Sequence, residues 1–165
     1  MASAREIGER LASSRVGTWL FLNVFPHIDR PLLRISRGYL SLSVGQPVVL
    51  LETVGARSGA LRSTPLMCLP CVPTDEDIVL VASNGGSPRS PGWYHNLRKS
   101  PEATVTLRGH RRRMRAREAA GAEREELWRR AVEFYSGYAI YQERAGDRLI
   151  PLVVLSPTEA TGGVD

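Results

Sequence analysis

The chain has 165 residues, of which 42% are hydrophobic and 24% are charged, and its formal net charge is +5. This length predicts one globular domain, and no run reaches the roughly 18 apolar residues of a transmembrane helix. The first apolar run, near Val16, is broken by Pro26 and has charged neighbours, unlike a secretory signal. We expect a cytoplasmic protein, and its positive charge favours nucleic acid, a membrane surface or a small anion as partner.

An arm of short helices is predicted for residues 1–45, because Pro26 and Pro31 interrupt its apolar segments. These helices either cover one side of a sheet or touch a membrane through an amphipathic basic face. A cofactor-binding barrel over residues 46–157 and a polar tail over residues 158–165 complete the predicted division of the chain.

Strands dominate the predicted domain, because six segments combine apolar runs or alternation with turn residues at their ends. Pro65 marks a bulge or an edge in the second of them. Six mostly antiparallel strands with few helices indicate an α+β fold that is mostly β, built as a closed or split β-barrel. The predicted strands are PVVLLETV, LRSTPLMCL, DIVLVAS, EATVTLRG, HRRRMRAREA and RLIPLVVLSP, and helices are predicted over 91–99, between Gly121 and Gly137, and over 138–146.

The stretch SNGGSPRSPGWYHNL follows the third predicted strand. Asn84-Gly85-Gly86 can adopt positive φ and turn backbone N–H groups in one direction. Ser90 is then the expected N-cap of a short helix, with Pro91 as its first residue. A strand, a loop of small residues and a helix N-terminus together can hold an anion. The alternative is a capped helix that simply packs Trp93 and Leu97 into the core.

A second loop, GARSGALRST, is basic and rich in glycine. Arg57 and Arg62 flank it, and Ser58 and Thr64 offer hydroxyl groups. Arginine suits bidentate contacts to phosphate or carboxylate, whereas a solvated hairpin turn is the alternative. Two such loops in one small domain favour a ligand with several negative groups.

The segment HRRRMRAR resembles a nucleic-acid tract, but no standard nucleic-acid motif accompanies it. Read as a strand, it has a solvated charged face that discourages strand-edge pairing; contact with a small anion is the alternative. Alternation places Arg111, Arg113, Arg115 and Arg117 on one face, and Arg112, Met114 and Ala116 on the other.

Two cysteines, Cys68 and Cys71, form the sequence CLPC. A redox C-x-x-C pair needs a helix N-terminus after its first thiol, and here the pair lies between a strand and a turn. We interpret both as structural free thiols. A second ligand pair at a suitable spacing is missing, so no metal site is predicted.

Tyr135, Tyr138 and Tyr141 recur every three residues around Gly137, which predicts a stripe along one helix face. Their rings can wall an aromatic pocket and their hydroxyls can donate hydrogen bonds or protons; core or interface packing is the alternative. An aromatic pocket beside anion-binding loops suits a flat, phosphorylated cofactor.

Five motifs in order carry a family resemblance: LLETVGARSGALRSTPL, VASNGG, PGWYHNLRKSPEATV, FYSGYAIYQ and RLIPLVVLSP. Together, from about Val48 to Pro157, they resemble the deazaflavin-dependent nitroreductases, also called coenzyme F420-dependent nitroreductases or quinone reductases. The resemblance implies a split β-barrel like those that bind flavin mononucleotide (FMN). It also implies coenzyme F420, with its flat deazaflavin ring, phosphate and glutamate tail. The implied reaction is hydride transfer from reduced F420 to a nitroaromatic, a quinone or another conjugated acceptor.

The resemblance also implies roles for individual residues. Tyr138 and Ser83 are the expected proton or hydrogen-bond donors, and Tyr135 and Tyr141 complete the substrate pocket. The implied contacts to the F420 phosphate and tail are Arg57, Ser58, Arg62, Thr64 and Pro65; those to the ring are Val81, Ala82, Ser83, Asn84 and Tyr138; and those of the helix that follows are Gly92, Trp93, Tyr94, His95 and Asn96.

Three departures from the family pattern affect these expectations. Ala56 stands where a second basic residue is frequent, Asn84 replaces a frequent Lys, and Met67 replaces a frequent aromatic residue. Two alternatives share the expected fold: an FMN-dependent oxidoreductase, and a non-catalytic protein that binds F420 or a tetrapyrrole. The acidic tail of F420 needs basic contacts that FMN does not, so the basic loop favours F420. The natural substrate and the oligomeric state stay open.

Overall fold

The computed structural model describes residues 47–69 and 76–158. Six antiparallel strands close into a barrel in the order β1-β2-β3-β6-β5-β4, with β4 pairing back onto β1, so the predicted barrel is confirmed. The predicted arm over residues 1–45 and Cys71 lie outside the described residues. The strands are β1 (Val48–Val54), β2 (Leu61–Leu69), β3 (Ile78–Val81), β4 (Glu102–Leu107), β5 (His110–Glu118) and β6 (Leu152–Pro157); the helices are α1 (Gly92–Lys99), α2 (Gly121–Phe134) and α3 (Gly137–Ala145).

The barrel interior is filled by residues that alternate along each strand. Val49 and Leu51 of β1 and Leu80 of β3 are completely buried there. Helix α1 adds Trp93 and Leu97 to the same cluster. The core packing of these two side chains, which the sequence offered as the alternative to an anion site, is thus present, and it fixes α1 against the barrel.

A second apolar layer lies outside the barrel, on β3 and β6. Val79 and Val154 alternate away from the interior and pack with residues of α2 and α3. Tyr138 and Tyr141 belong to this layer and are buried. The tyrosines therefore lie on the outer face of the sheet, beside the end of β3.

Strand β2 pairs with β1 along most of its length but with β3 only at its end. All of its residues from Leu61 to Met67 pair with β1, whereas its pairing with β3 covers Cys68 and Leu69. Pro65, which has no N–H to donate, lies in the part that pairs with β1. Of the bulge or edge expected at Pro65, the register with β1 shows no bulge, and within the described residues the other side of β2 is unpaired there, as at an edge.

The arginine-rich strand β5 turns most of its charge outward, as predicted. Met114 is fully buried in the barrel, whereas its neighbours Arg113 and Arg115 are exposed. Arg112 shares the side of Met114 but is exposed, two positions from the end of the strand. Three of the outward arginines form ion pairs with carboxylates: Arg111 with Glu52 at 2.8 Å, Arg115 with Glu102 at 3.0 Å and Arg117 with Glu123 at 2.6 Å.

Two further observations concern the described residues alone. No helix there is long and apolar enough to span a membrane. No group of three His, Cys, Asp or Glu side chains there could hold a metal ion.

The burial of Met114 gives a test of this strand register. Met114→Ala should lower the free energy of unfolding by about 2–5 kcal/mol, because it leaves a cavity in the barrel. Arg112→Ala, on the same side of β5 but exposed, should change it by less than about 0.5 kcal/mol. Urea unfolding followed by tryptophan fluorescence measures both, and equal effects would contradict the register.

Candidate active site

The loop after β3 has the conformation expected from its sequence. Asn84, Gly85 and Gly86 all have positive φ, at 49°, 62° and 79°. The N–H of Gly86 donates to the Ser83 carbonyl at 3.0 Å, and the Asn84 side chain donates to the Arg89 carbonyl at 2.9 Å. The Asn84 carboxamide thus stabilises the loop itself.

Helix α1 begins one residue later than expected. Pro91 is its N-cap, with an extended ψ of 156°, and Ser90 makes no capping contact. The Pro91 carbonyl accepts the first bond, from the Tyr94 N–H at 3.1 Å. The prediction of Ser90 as the cap was wrong because the fixed ring of proline also allows the extended conformation of an N-cap.

Two aromatic residues of α1 point into the protein. Trp93 and Tyr94 are buried, whereas Gly92 and His95 are exposed. The Tyr94 hydroxyl donates to Oε2 of Glu118 at 2.6 Å. Burial and this carboxylate raise the pKa of Tyr94 above its ordinary value. Tyr94 therefore ties α1 to strand β5.

Asn96 joins α1 to the basic turn. Its amide group donates to the hydroxyl of Thr53 at 3.0 Å, and its carbonyl oxygen accepts from the Ala56 N–H at 2.9 Å. The ammonium of Lys99 donates to the Ala56 carbonyl at 2.7 Å. Both backbone polar groups of Ala56 are thus bonded to side chains of α1, so the turn is held against the helix.

The arginines of this turn differ from those of β5. Arg57, Ser58 and Arg62 are exposed, and Thr64 and Pro65 are half-buried. The ion pairs found within residues 47–69 and 76–158 belong to arginines of β5 and α2, and include neither Arg57 nor Arg62. Both guanidinium groups are therefore well suited to hold an anion from solution.

The three tyrosines do not share one helix. Helix α2 ends at Phe134 and α3 begins at Gly137, so the predicted break near Gly137 is confirmed, whereas the predicted stripe along one helix face was wrong. A Cβ at Gly137 would overlap the Tyr135 ring, so the glycine lets this ring fold back over the start of α3. The rings still form one cluster, with centroids 5.3 Å apart for Tyr135 and Tyr138, 6.1 Å for Tyr135 and Tyr141, and 6.2 Å for Tyr138 and Tyr141.

The hydroxyl of Tyr138 has unusual surroundings. The residue is only 4% exposed, and burial raises its pKa well above the ordinary value. Its hydroxyl has no hydrogen bond within the described residues, whereas those of Tyr135 and Tyr141 lie 3.3 Å apart. A buried hydroxyl without a partner is uncommon and marks a candidate functional group. Tyr138 stays a neutral phenol at physiological pH and can donate a hydrogen bond.

Cys68 makes a minor electrostatic contribution to the raised pKa of Tyr138. Its thiol is 3.4 Å from the Pro47 carbonyl, and burial raises the pKa of Cys68 to about 11. A buried thiol that stays protonated is inert. The interpretation of Cys68 as structural agrees with these surroundings.

The loop after β3 packs directly on α3. A Cβ at Gly86 would lie 2.7 Å from the Tyr141 carbonyl oxygen and 2.7 Å from the Cβ of Arg144. Val81 and Ala82 are buried below the loop, and Ser83 is half-buried. The predicted ring-side residues and the tyrosines are thus brought together, a contact that sequence spacing does not reveal.

Sequence reasoning missed Arg148 and Gln142, which fasten this loop and α3 together. Arg148 bonds to the carbonyls of Ala82, Ser83 and Ser87. Gln142 bonds to the backbone of Arg148 and Ile150. Both lie in motifs that carry the family resemblance, FYSGYAIYQ and RLIPLVVLSP. The motifs assign them no role, because bonds to backbone groups require no particular partner residue.

Comparison with known proteins gives consistent matches. The family model for F420H(2)-dependent quinone reductases matches residues 34–157. An F420H(2)-dependent quinone reductase of Mycobacterium tuberculosis is 38% identical over 114 residues, which cover 67% of this chain and 73% of that protein.

Two solved structures are also similar. One, described as an F420-H2 dependent reductase, is 40% identical, with a TM-score of 0.59 over 67% of this chain and 94% of its own. Another, described as a domain-swapped dimer, is 36% identical, with a TM-score of 0.61 over 79% of this chain and 97% of its own.

The contact between Gly86 and α3 can be tested by a pair of glycine substitutions. Gly86→Ala should lower the free energy of unfolding by about 2–5 kcal/mol, because it adds a steric overlap to the cost of positive φ. Gly59 also has positive φ, at 67°, but open space surrounds its Cβ position. Gly59→Ala should therefore cost only about 1–2 kcal/mol. Thermal and urea unfolding measure the difference, and equal costs would mean that the loop does not pack on α3.

Proposed function

Because the chain belongs to the F420H(2)-dependent quinone reductase family, we propose that it transfers hydride from reduced F420 to a conjugated acceptor through the residues described above. The family makes it an oxidoreductase that uses coenzyme F420 and gives no support to the FMN alternative. A quinone is the acceptor that fits the family name. Nitroaromatic compounds extend the same chemistry, since they also accept a hydride and gather charge on oxygen.

The observation that carries this proposal is the position of α1 between two loops. The helix begins where the loop after β3 ends, and through Asn96 it holds the turn that carries Arg57. From Gly92 to Asn96 the helix rises by only about 6 Å. One elongated ligand can therefore reach both loops.

The acidic end of F420 is assigned to the basic turn. Arg57 and Arg62 supply guanidinium groups that form no ion pair with any residue of 47–69 or 76–158. Ser58 and Thr64 supply hydroxyls. Ser58 already accepts a bond from the Ala60 N–H at 3.3 Å, which shapes the turn. Pro65 continues the same wall along β2. This donor set fits a phosphate followed by carboxylates.

The deazaflavin ring is assigned to the loop formed by Val81, Ala82, Ser83 and Asn84 and to the start of α1. Gly92 and His95 are exposed there and available for contact. Trp93, Tyr94 and Asn96 face inward, and the last two bond within the protein. These three support the site by fixing α1.

Reduced F420 supplies the hydride when it is bound. The acceptor then gains negative charge on an oxygen, and a neutral phenol can stabilise that charge by donating a hydrogen bond. Tyr138 has such a hydroxyl, and Ser83 is the second choice for this role. Tyr135 and Tyr141 wall the acceptor pocket and exclude water. Membrane contact through residues 1–45 remains a prediction, since those residues lie outside the described ranges.

Arg57→Ala tests the assignment of the acidic tail. It should weaken F420 binding by about 1–3 kcal/mol, the scale of a charge-assisted hydrogen bond, and added salt should reduce the loss. Arg112→Ala removes the same charge from an exposed position on β5 and should leave the Kd within about twofold. Fluorescence titration gives both values; an unchanged Kd in folded Arg57→Ala would remove the turn from the site.

Tyr138→Phe tests the chemistry. Ring packing is retained, so the Kd for F420 should stay within about twofold, while turnover should fall by roughly 10²-fold. The measurement is stopped-flow oxidation of bound reduced F420 by a quinone that the wild-type protein accepts. Wild-type rates would mean that Tyr138 only lines the pocket. A large loss in Ser83→Ala instead would transfer the role to Ser83.

A further inference from the structure

Arg148, between α3 and β6, binds the backbone on both sides of the glycine turn. Its guanidinium donates to the Ala82 carbonyl at 3.2 Å and to the Ser83 carbonyl at 2.7 Å. It also donates to the Ser87 carbonyl through Nε at 2.9 Å and through a terminal nitrogen at 2.7 Å. One side chain thus holds both ends of the loop by four hydrogen bonds.

The partners of this cation are unusual. Within the described residues its hydrogen bonds go to backbone carbonyls, whereas Arg117 of β5 and Arg129 of α2 pair with glutamates. Burial lowers the pKa of Arg148, and the nearby Tyr94 opposes this shift. Arginine stays charged even so. The planar, rigid fork of donors suits a role in fixing geometry.

The bonds to Ala82 and Ser83 also set the direction of two N–H groups. In a trans peptide the C=O and the following N–H point in opposite directions. With the carbonyls of Ala82 and Ser83 directed at Arg148, the N–H groups of Ser83 and Asn84 point away from it. The loop therefore presents two successive donors on the side opposite the guanidinium.

The backbone of Arg148 is itself fixed to α3. The Gln142 side chain donates to the Arg148 carbonyl at 2.9 Å and accepts from the Ile150 N–H at 2.9 Å. Gln142 lies on the same short helix as Tyr138 and Tyr141. A continuous set of bonds thus connects the tyrosine helix, Arg148 and the loop.

We propose that Arg148 is a positioning residue that fixes the loop Ala82–Ser87 relative to α3, and so sets the place of the deazaflavin ring relative to Tyr138. This inference rests on the proposed placement of the ring at that loop. If the loop were held only by its own turn, the distance between the ring and Tyr138 would vary. Hydride transfer and hydrogen bonding to the acceptor both depend steeply on distance.

Arg148→Met is the main test, with Arg148→Lys and Arg124→Met beside it. Arg124 is a matched control, because it also donates to a backbone carbonyl, that of Ile150 at 3.2 Å, and lies outside the proposed site. The probes are F420 and the deazaflavin riboside that lacks the phosphate and tail. The readouts are the Kd of each probe, the hydride-transfer rate at saturation and the unfolding midpoint.

Arg148→Met should weaken both probes by the same factor, about tenfold, because only the ring contact is disturbed. Hydride transfer at saturation should fall by about tenfold or more. Arg57→Ala should weaken F420 alone. Arg148→Lys, which keeps the charge but not the fork, should stay impaired, and it covers the case in which the Met variant does not fold.

Two outcomes for the Arg148 variants would overturn the inference. Arg148→Met could match Arg124→Met in riboside affinity and rate. Arg148→Lys could restore wild-type values, which would assign the effect to charge alone. Ser83→Leu, which adds bulk to the loop, separates this failure from that of the proposed site. If Ser83→Leu blocks binding of the riboside while the Arg148 variants match Arg124→Met, only the inference on Arg148 fails. If Ser83→Leu binds the riboside normally, the proposed placement of the ring fails, and the inference fails with it.

Discussion

The candidate site depends on one half-buried carboxamide, that of Asn96. Asn96 satisfies the hydroxyl of Thr53, which is 2% exposed, and the N–H of Ala56 at the same time. A buried polar group that loses its partner costs more than the bond itself contributes. This arrangement therefore fixes α1 at the end of β1 and the turn beside it. The Tyr94–Glu118 bond adds a third attachment, to β5.

A second set of contacts fixes the loop after β3 to helix α3. Gly86 allows the loop to touch the helix backbone, and Arg148 and Gln142 bond the two together. The proposed ring contacts, Val81 to Asn84, thus lie on a loop that Arg148 and Gln142 hold in place, whereas Arg57 and Arg62, the proposed tail contacts, are exposed side chains. The two ends suit different tasks. Hydride transfer needs fixed geometry, while a charged tail needs field strength and tolerates variation in position.

Much of the fold follows from local pattern. The six strands and the positive φ of Asn84-Gly85-Gly86 are read directly from alternation and turn chemistry. The tyrosine stripe was wrong because helical periodicity assumes an unbroken helix, and Gly137 starts a new one. Which face Asn96 presents, and what it bonds to, depends on tertiary contacts forty residues away in sequence. Local pattern carries no information on those.

The contacts of Arg148 are even harder to predict from the sequence. An arginine that pairs with a carboxylate leaves a possible trace in the sequence, such as the spacing of Arg129 from Glu126 and Glu133 on α2. An arginine that binds carbonyls leaves none, because every residue supplies one.

The net charge of this chain is a poor guide to its ligand, because arginines with different partners contribute to it equally. Among the described residues, the positive charge of three sets of arginines has different surroundings. Most arginines of β5 pair with glutamates, and Arg148 donates to backbone carbonyls. The arginines of the basic turn are unpaired within the described residues. The arginine-rich strand gives the strongest impression of nucleic-acid binding in the sequence, yet much of its charge is balanced. An anion-binding site is better indicated by guanidinium groups that are exposed and are carried by a fixed backbone. The turn that carries Arg57 meets both conditions, since its arginines face solvent while Asn96 and Lys99 hold its peptide in place.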